Sequence, residues 1–447
     1  MGYRPYRARP SRPDPVGDQG NDGVKRVVLY DCGRLMARAK SATPTGIDRV
    51  DLRYLDHFLN DPDTQVIGVG QKSDSLGLYS EADVATIHRL LCRRWLDRAA
   101  LSDADRRTVT RVYLRGKAMS LGAKLGRRLT GARFPGALRR RLSGCGDMPV
   151  MYVNASHKGL TKEPLFSAMK AELGARLVFF VHDMIPVDFP QFVRPGHDEK
   201  HAVRMRIAAR QGDMIVWNSI YSRDRFNAFA AREGIEPPPG VILHIGVEPH
   251  FRPLATAAPP AERPYFLIVG TVEPRKNLRV LLDAWEHLRT RGGPVPQLRV
   301  IGKRGWVTEA NIGDAERAAA LAPDVVELDR VDDDALMAQL SGACALLFPS
   351  FTEGWGMPLV EAAIMGIPAI AADIPAFHEA GQGCVLLIDP ADPTAWADAV
   401  TAYAAPASKA RAAALDGLAR FVPPQWTAHF EGLEAALAAQ NGKNAGK

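Results

Sequence analysis

Residues 344–373 read CALLFPSFTEGWGMPLVEAAIMGIPAIAAD. The opening CALLFPS is an apolar run of strand length that stops at Pro349. A loop with Glu353, Gly354, Trp355 and Gly356 follows it. MPLVEAAIMG then has the makings of a buried helix, with Pro358 at an early position where a missing N–H is harmless. PAIAAD is a second short apolar run. Strand, Gly-rich loop, helix and strand in succession are the repeat of a parallel sheet with covering helices. The loop amides point outward at a helix N-terminus, where anionic or hydroxyl-rich ligands bind well. In open α/β sheets such ligands sit outside the carboxyl ends of the strands. Two carboxylates stand eight positions apart here, Glu353 on the loop and Glu361 about one turn into the helix.

The same alternation extends in both directions. Downstream, PTAWADAVTAYA reads as a helix, and PPQWTAHFEGLEAALAAQ ends in another. Upstream, YFLIVGT, QLRVIGK and VVELDRV read as strands, with NLRVLLDAWEHLRTRG and DDALMAQLSGA as helices. PLATAAPPAERP, rich in Pro and Ala, reads as a linker. Before it stand further strands, VKRVVLYDCG, TQVIGVG, PVMYVNAS, ARLVFFVHDMIP (stopping at Pro186) and VILHIGV, with helices between them. The runs are continuously apolar, as in sheets covered on both faces. Two doubly wound α/β domains result, and 447 residues suffice for two. The expected division is a disordered tail at 1–24, an N-terminal domain at 25–252 with a basic helical insertion at about 89–141, and a linker at 253–264. A C-terminal domain at 265–422, a last helix at 423–440 and a frayed tail at 441–447 complete it.

The composition, 46% apolar and 24% charged, is that of a soluble globular protein. Cys32, Cys92, Cys145, Cys344 and Cys384 are scattered, odd in number and without metal-ligand spacing, which points to a reducing compartment. The first residues lack the apolar core of a secretory signal, and no run approaches a membrane span. A cytoplasmic location is therefore expected. Net charge is +7, yet 106–141 holds twelve Lys or Arg and no Asp or Glu, so the other residues sum to −5. The basic excess is local and invites an anionic partner.

The stretch Glu353-GWGMPLV-Glu361 resembles the Glu-x7-Glu signature of the family 4 retaining glycosyltransferases, which have the GT-B fold of two Rossmann-like domains facing a cleft. The resemblance is specific over about 175–390 and looser over 25–60, while 85–150 resembles nothing recognised. It implies that Glu353 contacts the transferred sugar and that the Gly354, Trp355, Gly356 and Met357 segment bonds sugar hydroxyls or phosphate. Glu361 is implied to bind the ribose. In FLIVGTVEPRKNLRVLLDAW, two cations precede a helix, an unfavourable place unless an anion joins them. The resemblance gives that role to a leaving diphosphate held by Arg275 and Lys276. The segment departs from the family's usual G-x-hydroxy-x-x-x-K-G form but keeps the cationic pair. In LVFFVHDMIP the resemblance places His182 against the donor sugar, with Asp183 orienting it or meeting the acceptor. In TPTGIDRV, Gly46 corresponds to a Gly-bearing loop near the acceptor and the diphosphate, and Arg49 is either an added cation or a helix-surface residue.

The activity so implied is transfer of a hexose, with retention, from a nucleoside-diphosphate sugar to a saccharide or lipid-linked saccharide acceptor. VHDMIP and GWGMPLVEA together resemble mannosyl- and rhamnosyl-type members, which favours GDP-mannose ahead of UDP sugars and suggests bacterial surface polysaccharide synthesis. No metal or other cofactor is expected. Asp332-Asp333-Asp334 reads as the acidic start of a helix rather than a metal triplet, and no G-x-G-x-x-G follows the first strand. The alternatives are a sugar-nucleotide epimerase of the same fold and a non-catalytic sugar-nucleotide-binding scaffold. Segment 106–141 is either a solvated insertion or a contact with the anionic inner face of the plasma membrane. Nucleic acid is not the expected partner, since no nucleic-acid fold surrounds the segment.

Overall fold

The computed structural model describes residues 24–252 and 262–444, apart from 73, 309–310, 329–330, 332 and 406. The expected tail up to residue 23, positions 253–261 of the expected linker, Asp332 and the last three residues lie outside the described residues. Thirteen strands are found among those described: β1 (Arg26–Asp31), β2 (Thr64–Lys72), β3 (Ser75–Leu78), β4 (Val150–Asn154), β5 (Arg176–Val181), β6 (Met214–Trp217), β7 (Gly240–Ile242), β8 (Tyr265–Val269), β9 (Gln297–Ile301), β10 (Val325–Leu328), β11 (Ala345–Phe348), β12 (Ala369–Ala372) and β13 (Leu386–Ile388). They form two sheets, ordered β3-β2-β1-β4-β5-β6-β7 and β10-β9-β8-β11-β12-β13. The pairings are parallel, as at Val27↔Gln65 and Phe266↔Leu298, except that β3 runs antiparallel to β2 at the edge. The α/β class expected from the alternation is therefore the one found.

Packing divides the chain into two compact units. One holds the residues up to Phe179 with Gln211–Met214, and the other holds Phe180–Arg210 with Ile215–Lys447. The boundary between the two units falls inside β5. The C-terminal segment packs against the chain that follows β7. Val247 N donates to Pro424 O at 3.3 Å, and His429 Nδ1 lies 2.9 Å from His244 O. A Cβ on Gly246 would sit 2.5 Å from Trp426 N. The close approach draws 243–247 out of the sheet, so the expected strand VILHIGV is only Gly240–Ile242. The last helix, Trp426–Asn444, runs beyond the expected end at 440 into the expected tail 441–447. The strand at 175–186 is also shorter than expected. It ends at Val181, and Ile185–Asp188 turns helical. Asp183 Oδ1 accepts from Ile185 N at 3.1 Å, a side-chain bond that competes with extended pairing.

In the first unit, Val27, Val28, Leu29 and Tyr30 of β1 are fully buried. The helix Gly46–Asn60 begins with a capping box, Asp48 N to Thr45 Oγ1 at 3.3 Å and Thr45 N to Asp48 Oδ2 at 2.8 Å. Arg34 (2.7 Å) and Arg38 (3.1 Å) complete the surroundings of the buried Asp48. On the same helix, Asp51 is wholly buried. Its Oδ1 accepts from Tyr30 Oη at 2.7 Å, but Oδ2 has no partner. Burial pushes its carboxyl up to about 7, against the hydrogen bond from Tyr30 and the charge of Arg34. The native state then keeps a proton that the unfolded chain releases near pH 4. Asp51 costs nothing below that pH, and its penalty grows until about pH 7. At ~1.4 kcal/mol per pH unit the full penalty is on the order of 4 kcal/mol. Asp51→Asn should therefore gain on the wild type by several degrees of Tm between pH 4.5 and pH 8. Parallel melting profiles for the two proteins would refute this.

Asp56, His88 and Cys92 also come together in this unit, His88 Nε2 lying 2.9 Å from Asp56 Oδ1 and 3.3 Å from Cys92 Sγ. They come from two separate segments, so linear spacing could not reveal them. Their mutual hydrogen bonds account for the arrangement.

Candidate active site

The expected site residues other than Gly46 fall in the second unit. After β8 the chain makes a single 3₁₀ turn, Pro274–Lys276, and Asn277 starts the helix Leu278–Arg291 with φ +54°. Asn tolerates that left-handed backbone. Its side-chain amide donates to Pro349 O (3.1 Å) and Pro390 O (2.8 Å). Phe351 N donates to Arg275 O at 3.0 Å. The turn after β8 is thus tied to the loop after β11.

This tie brings three expected residues onto one oxygen. Glu353 Oε1 lies 2.5 Å from Arg275 Nη1 and 2.6 Å from Lys276 Nζ, and it accepts from Ser350 Oγ at 2.9 Å. Arg275 also meets Glu273 Oε1 at 2.8 Å. Burial alone would raise the Glu353 carboxyl, but the adjacent Arg275 and Lys276 charges outweigh it and hold it at about 2. Lys276 Nζ in addition lies 4.6 Å from the centre of the Phe348 ring. The two cations thus have counter-charges within the chain, Glu353 and Glu273. The anion expected to join the two cations is thus matched within the chain by these carboxylates. Sequence spacing could not show it, because Glu353 is 77 positions from Lys276.

The Gly-rich loop is held from its other side. Ser219 Oγ donates to Gly354 O at 2.6 Å, and Asn218 Nδ2 donates to His182 O at 2.8 Å. Ser222 Oγ reaches both carbonyls, at 3.2 and 3.1 Å. His182 is buried, and its ring stacks on Phe180 at 4.3 Å. Trp355 is buried and stacks on His244 at 4.5 Å. Its Nε1 and Thr352 Oγ1 are buried without hydrogen-bond partners in this structure. Gly356 has φ +146°, which other residues rarely adopt, and caps the helix Met357–Ile364. Met357 and Pro358 open that helix, and Glu361 is buried on it.

His182, Asp183, Arg275, Lys276, Glu353, Gly354, Trp355, Gly356, Met357 and Glu361 therefore lie on loops and a helix start following β5, β8 and β11. Gly46 belongs to the first unit, where it opens the helix Gly46–Asn60, and Arg49 is buried on that helix. Sequence reasoning missed Asn218, Ser219 and Ser222. The signal was the Ser-x-x-Ser of NSIYS, in which Ser219 caps the helix Ile220–Arg232 by accepting from Ser222 N. It also missed Ser350, which orients the Glu353 carboxylate.

Comparison with known proteins covers part of this region. Residues 263–405 match the family described as Glycosyl transferases group 1. The chain is 29% identical over 223 residues to the serotype-specific mannosyltransferase WbdA of Escherichia coli, which covers 47% of this chain and 27% of that protein. It is 32% identical over 139 residues to the O-antigen chain mannosyltransferase B of Escherichia coli, 31% of this chain and 35% of the relative. The chain thus spans only about a quarter to a third of the length of these relatives. Among solved structures, Anabaena HepE in complex with UDP-glucose superposes with a TM-score of 0.56 at 13% identity, covering 93% of this chain and 99% of the other. Two largely parallel sheets with covering helices and the superposition on HepE give this chain the GT-B fold, and the segment that bears Arg275, Lys276, Glu353 and Glu361 is the part similar to the glycosyl transferases group 1 family.

Proposed function

We propose that the protein is a retaining glycosyltransferase that moves a hexose, mannose first, from a nucleoside-diphosphate sugar to a saccharide or lipid-linked acceptor in surface polysaccharide synthesis. Residues 25–252 serve as the acceptor-side domain and 265–422 as the donor-side domain. The observation that carries the reading is the convergence of Arg275, Lys276 and Glu353 on one oxygen at the carboxyl ends of β8 and β11. Ligands of open α/β sheets bind at such ends. The mannosyl donor is favoured because several of the matched relatives, WbdA and the O-antigen chain mannosyltransferase B among them, are named mannosyltransferases. The UDP-glucose bound by HepE keeps UDP sugars as the second donor class.

In this reading Arg275 and Lys276 take the donor diphosphate, and Glu353 then faces the sugar. The bond from the anomeric carbon to the diphosphate oxygen breaks through an oxocarbenium-like state. The two cations stabilise the charge that gathers on the leaving oxygen. The acceptor hydroxyl oxygen forms the new bond on the same face, and its proton passes to the departing phosphate. His182 and the Gly354–Met357 segment position the sugar, Asp183 the acceptor side, and Glu361 the ribose. No step in this scheme requires a metal.

A thermal-shift screen against GDP, UDP, ADP, dTDP and CMP, with and without EDTA, tests the reading. A nucleotide at about 100 times its Kd adds ~2.7 kcal/mol of stability. GDP is expected to raise Tm by several degrees, unchanged by EDTA, and GDP-mannose should then support transfer. Folded protein that responds to no nucleotide would exclude a donor site and leave a scaffold. Turnover of the donor without any acceptor, giving an isomeric sugar nucleotide, would make it an epimerase.

A further inference from the structure

The sequence leaves the basic segment 106–141 open between a solvated insertion and a membrane contact, and the structure separates its residues by face. The helix Asp103–Thr130 spans 28 residues. One face is buried in the first unit through Val109 and Val112 (2% and 3% exposed), and Gly116 faces the Tyr79 ring. The opposite face exposes Leu114 (56%), Leu121 (66%), Leu125 (55%) and Leu129 (76%). Their spacing of seven, four and four puts them in one line along the helix. Eleven large hydrophobic side chains are exposed among the described residues, and four of them form this line. Scattered exposed leucines need no explanation, whereas an aligned set marks a contact surface.

The cations sort in the same way. Arg106, Arg115, Arg127, Arg139 and Arg141 pair with Asp103, Asp83, Asp74, Glu172 and Glu81. Among the described residues, Arg107, Arg111, Lys117, Lys124 and Arg128 form no ion pair. At ~100° per residue, Lys117, Lys124 and Arg128 flank the leucine line on one side and Arg111 on the other. The unpaired charge therefore surrounds the exposed apolar line, while the paired charge holds the helix to its own unit.

We propose that this face docks on an anionic lipid surface, with the four leucines at the acyl boundary and the flanking cations on the headgroup phosphates. An apolar line bordered by Lys and Arg is the pattern of a helix lying in the membrane interface. The helix cannot cross a bilayer, since no helix among the described residues is long and apolar enough. A second copy of this chain is a poor occupant, because pairing two such faces opposes like charges. Single-stranded nucleic acid would call for rings on which bases stack, and the line offers leucines. The inference does not depend on the donor proposed above, since docking and sugar transfer are measured separately.

The test is co-sedimentation of the full chain with phosphatidylcholine vesicles, with and without phosphatidylglycerol. Binding is expected only to the anionic vesicles. The double variant Lys124→Glu/Arg128→Glu should lower partitioning at least about tenfold. Leu121→Gln/Leu125→Gln should abolish the binding that survives in high salt, where charge attraction is screened. All four positions are exposed, so both variants should melt like the wild type. The proposal is overturned if anionic vesicles do not sediment the protein, or if the charge variant binds as well as the wild type. It is equally overturned if the leucine substitutions abolish a dimer in solution while leaving vesicle binding intact.

Discussion

Glu353→Ala is expected to lower kcat for sugar transfer on the order of 10²–10³-fold, the usual cost of removing one electrostatic contact to the reacting group. Its second effect is the more distinctive. Removing the carboxylate leaves Arg275 and Lys276, each largely buried, with Glu273 as their nearest remaining counter-charge. Breaking a buried pair from one side costs about 3–5 kcal/mol. A nucleoside diphosphate would restore the missing negative charge, so GDP should raise the Tm of Glu353→Ala by more than it raises that of the wild type. Glu353→Gln keeps an acceptor for Ser350 but not the charge, and should show the same larger shift. Unchanged kcat, or an equal nucleotide response in both proteins, would remove Glu353 and the cationic pair from the site.

The pH dependence follows from the same cluster. The Glu353 carboxyl is held at about 2, below its unfolded value near 4.3. Its contribution to stability is therefore complete above the unfolded value and is lost as pH falls through about 2. Glu353 stays ionised across the working range, so an activity loss between pH 5 and pH 6 must arise elsewhere.

Much of this was legible in the sequence. The apolar runs of YFLIVGT and CALLFPS become β8 and β11, and the chemistry sits on the loops that follow them. Periodicity reports burial, and burial is what a doubly covered sheet imposes on its strands. The pairing of Arg275 and Lys276 with Glu353 was not legible, because nothing local joins residues 77 positions apart. Nor was the role of Asn218, Ser219 and Ser222, whose local reading as a helix cap is correct but incomplete. The short strand β3 escaped for a different reason, and β7 was expected but over a longer span. β3 pairs antiparallel at an edge, and the run expected over 241–247 leaves the sheet after Ile242, short of Gly246 and its contact with Trp426, so tertiary contact decides both. In the basic segment, charge counting located the cations, but only burial showed which face the leucines occupy.

Gly354→Ala should lower kcat/KM about 100-fold or more without unfolding the protein. A Cβ at this position would lie 2.1 Å from His182 O, 3.2 Å from His182 C and 2.9 Å from Asp183 Cβ. Two of these are backbone atoms, which cannot swing aside as a side chain would. His182 O is moreover fixed by Asn218 Nδ2 and Gly354 O by Ser219 Oγ, with the one Ser222 hydroxyl proton within reach of either carbonyl. Relief therefore requires the two loops to separate, breaking at least one of these buried bonds. Overpacking of this kind costs about 1–3 kcal/mol, a fall of several degrees in Tm. A shift of ~1 Å between groups that must act together costs ~10²-fold in rate. Gly313→Ala is the matched control, since its Cβ would meet nothing within 4 Å and its φ of −79° suits alanine. If Gly354→Ala keeps full kcat/KM, the His182 and Glu353 loops do not act as one unit, and His182 has no claim on the donor sugar. If it loses activity while Gly313→Ala does not, the spacing of the two loops is itself part of the active site, because neither substitution touches a titratable group.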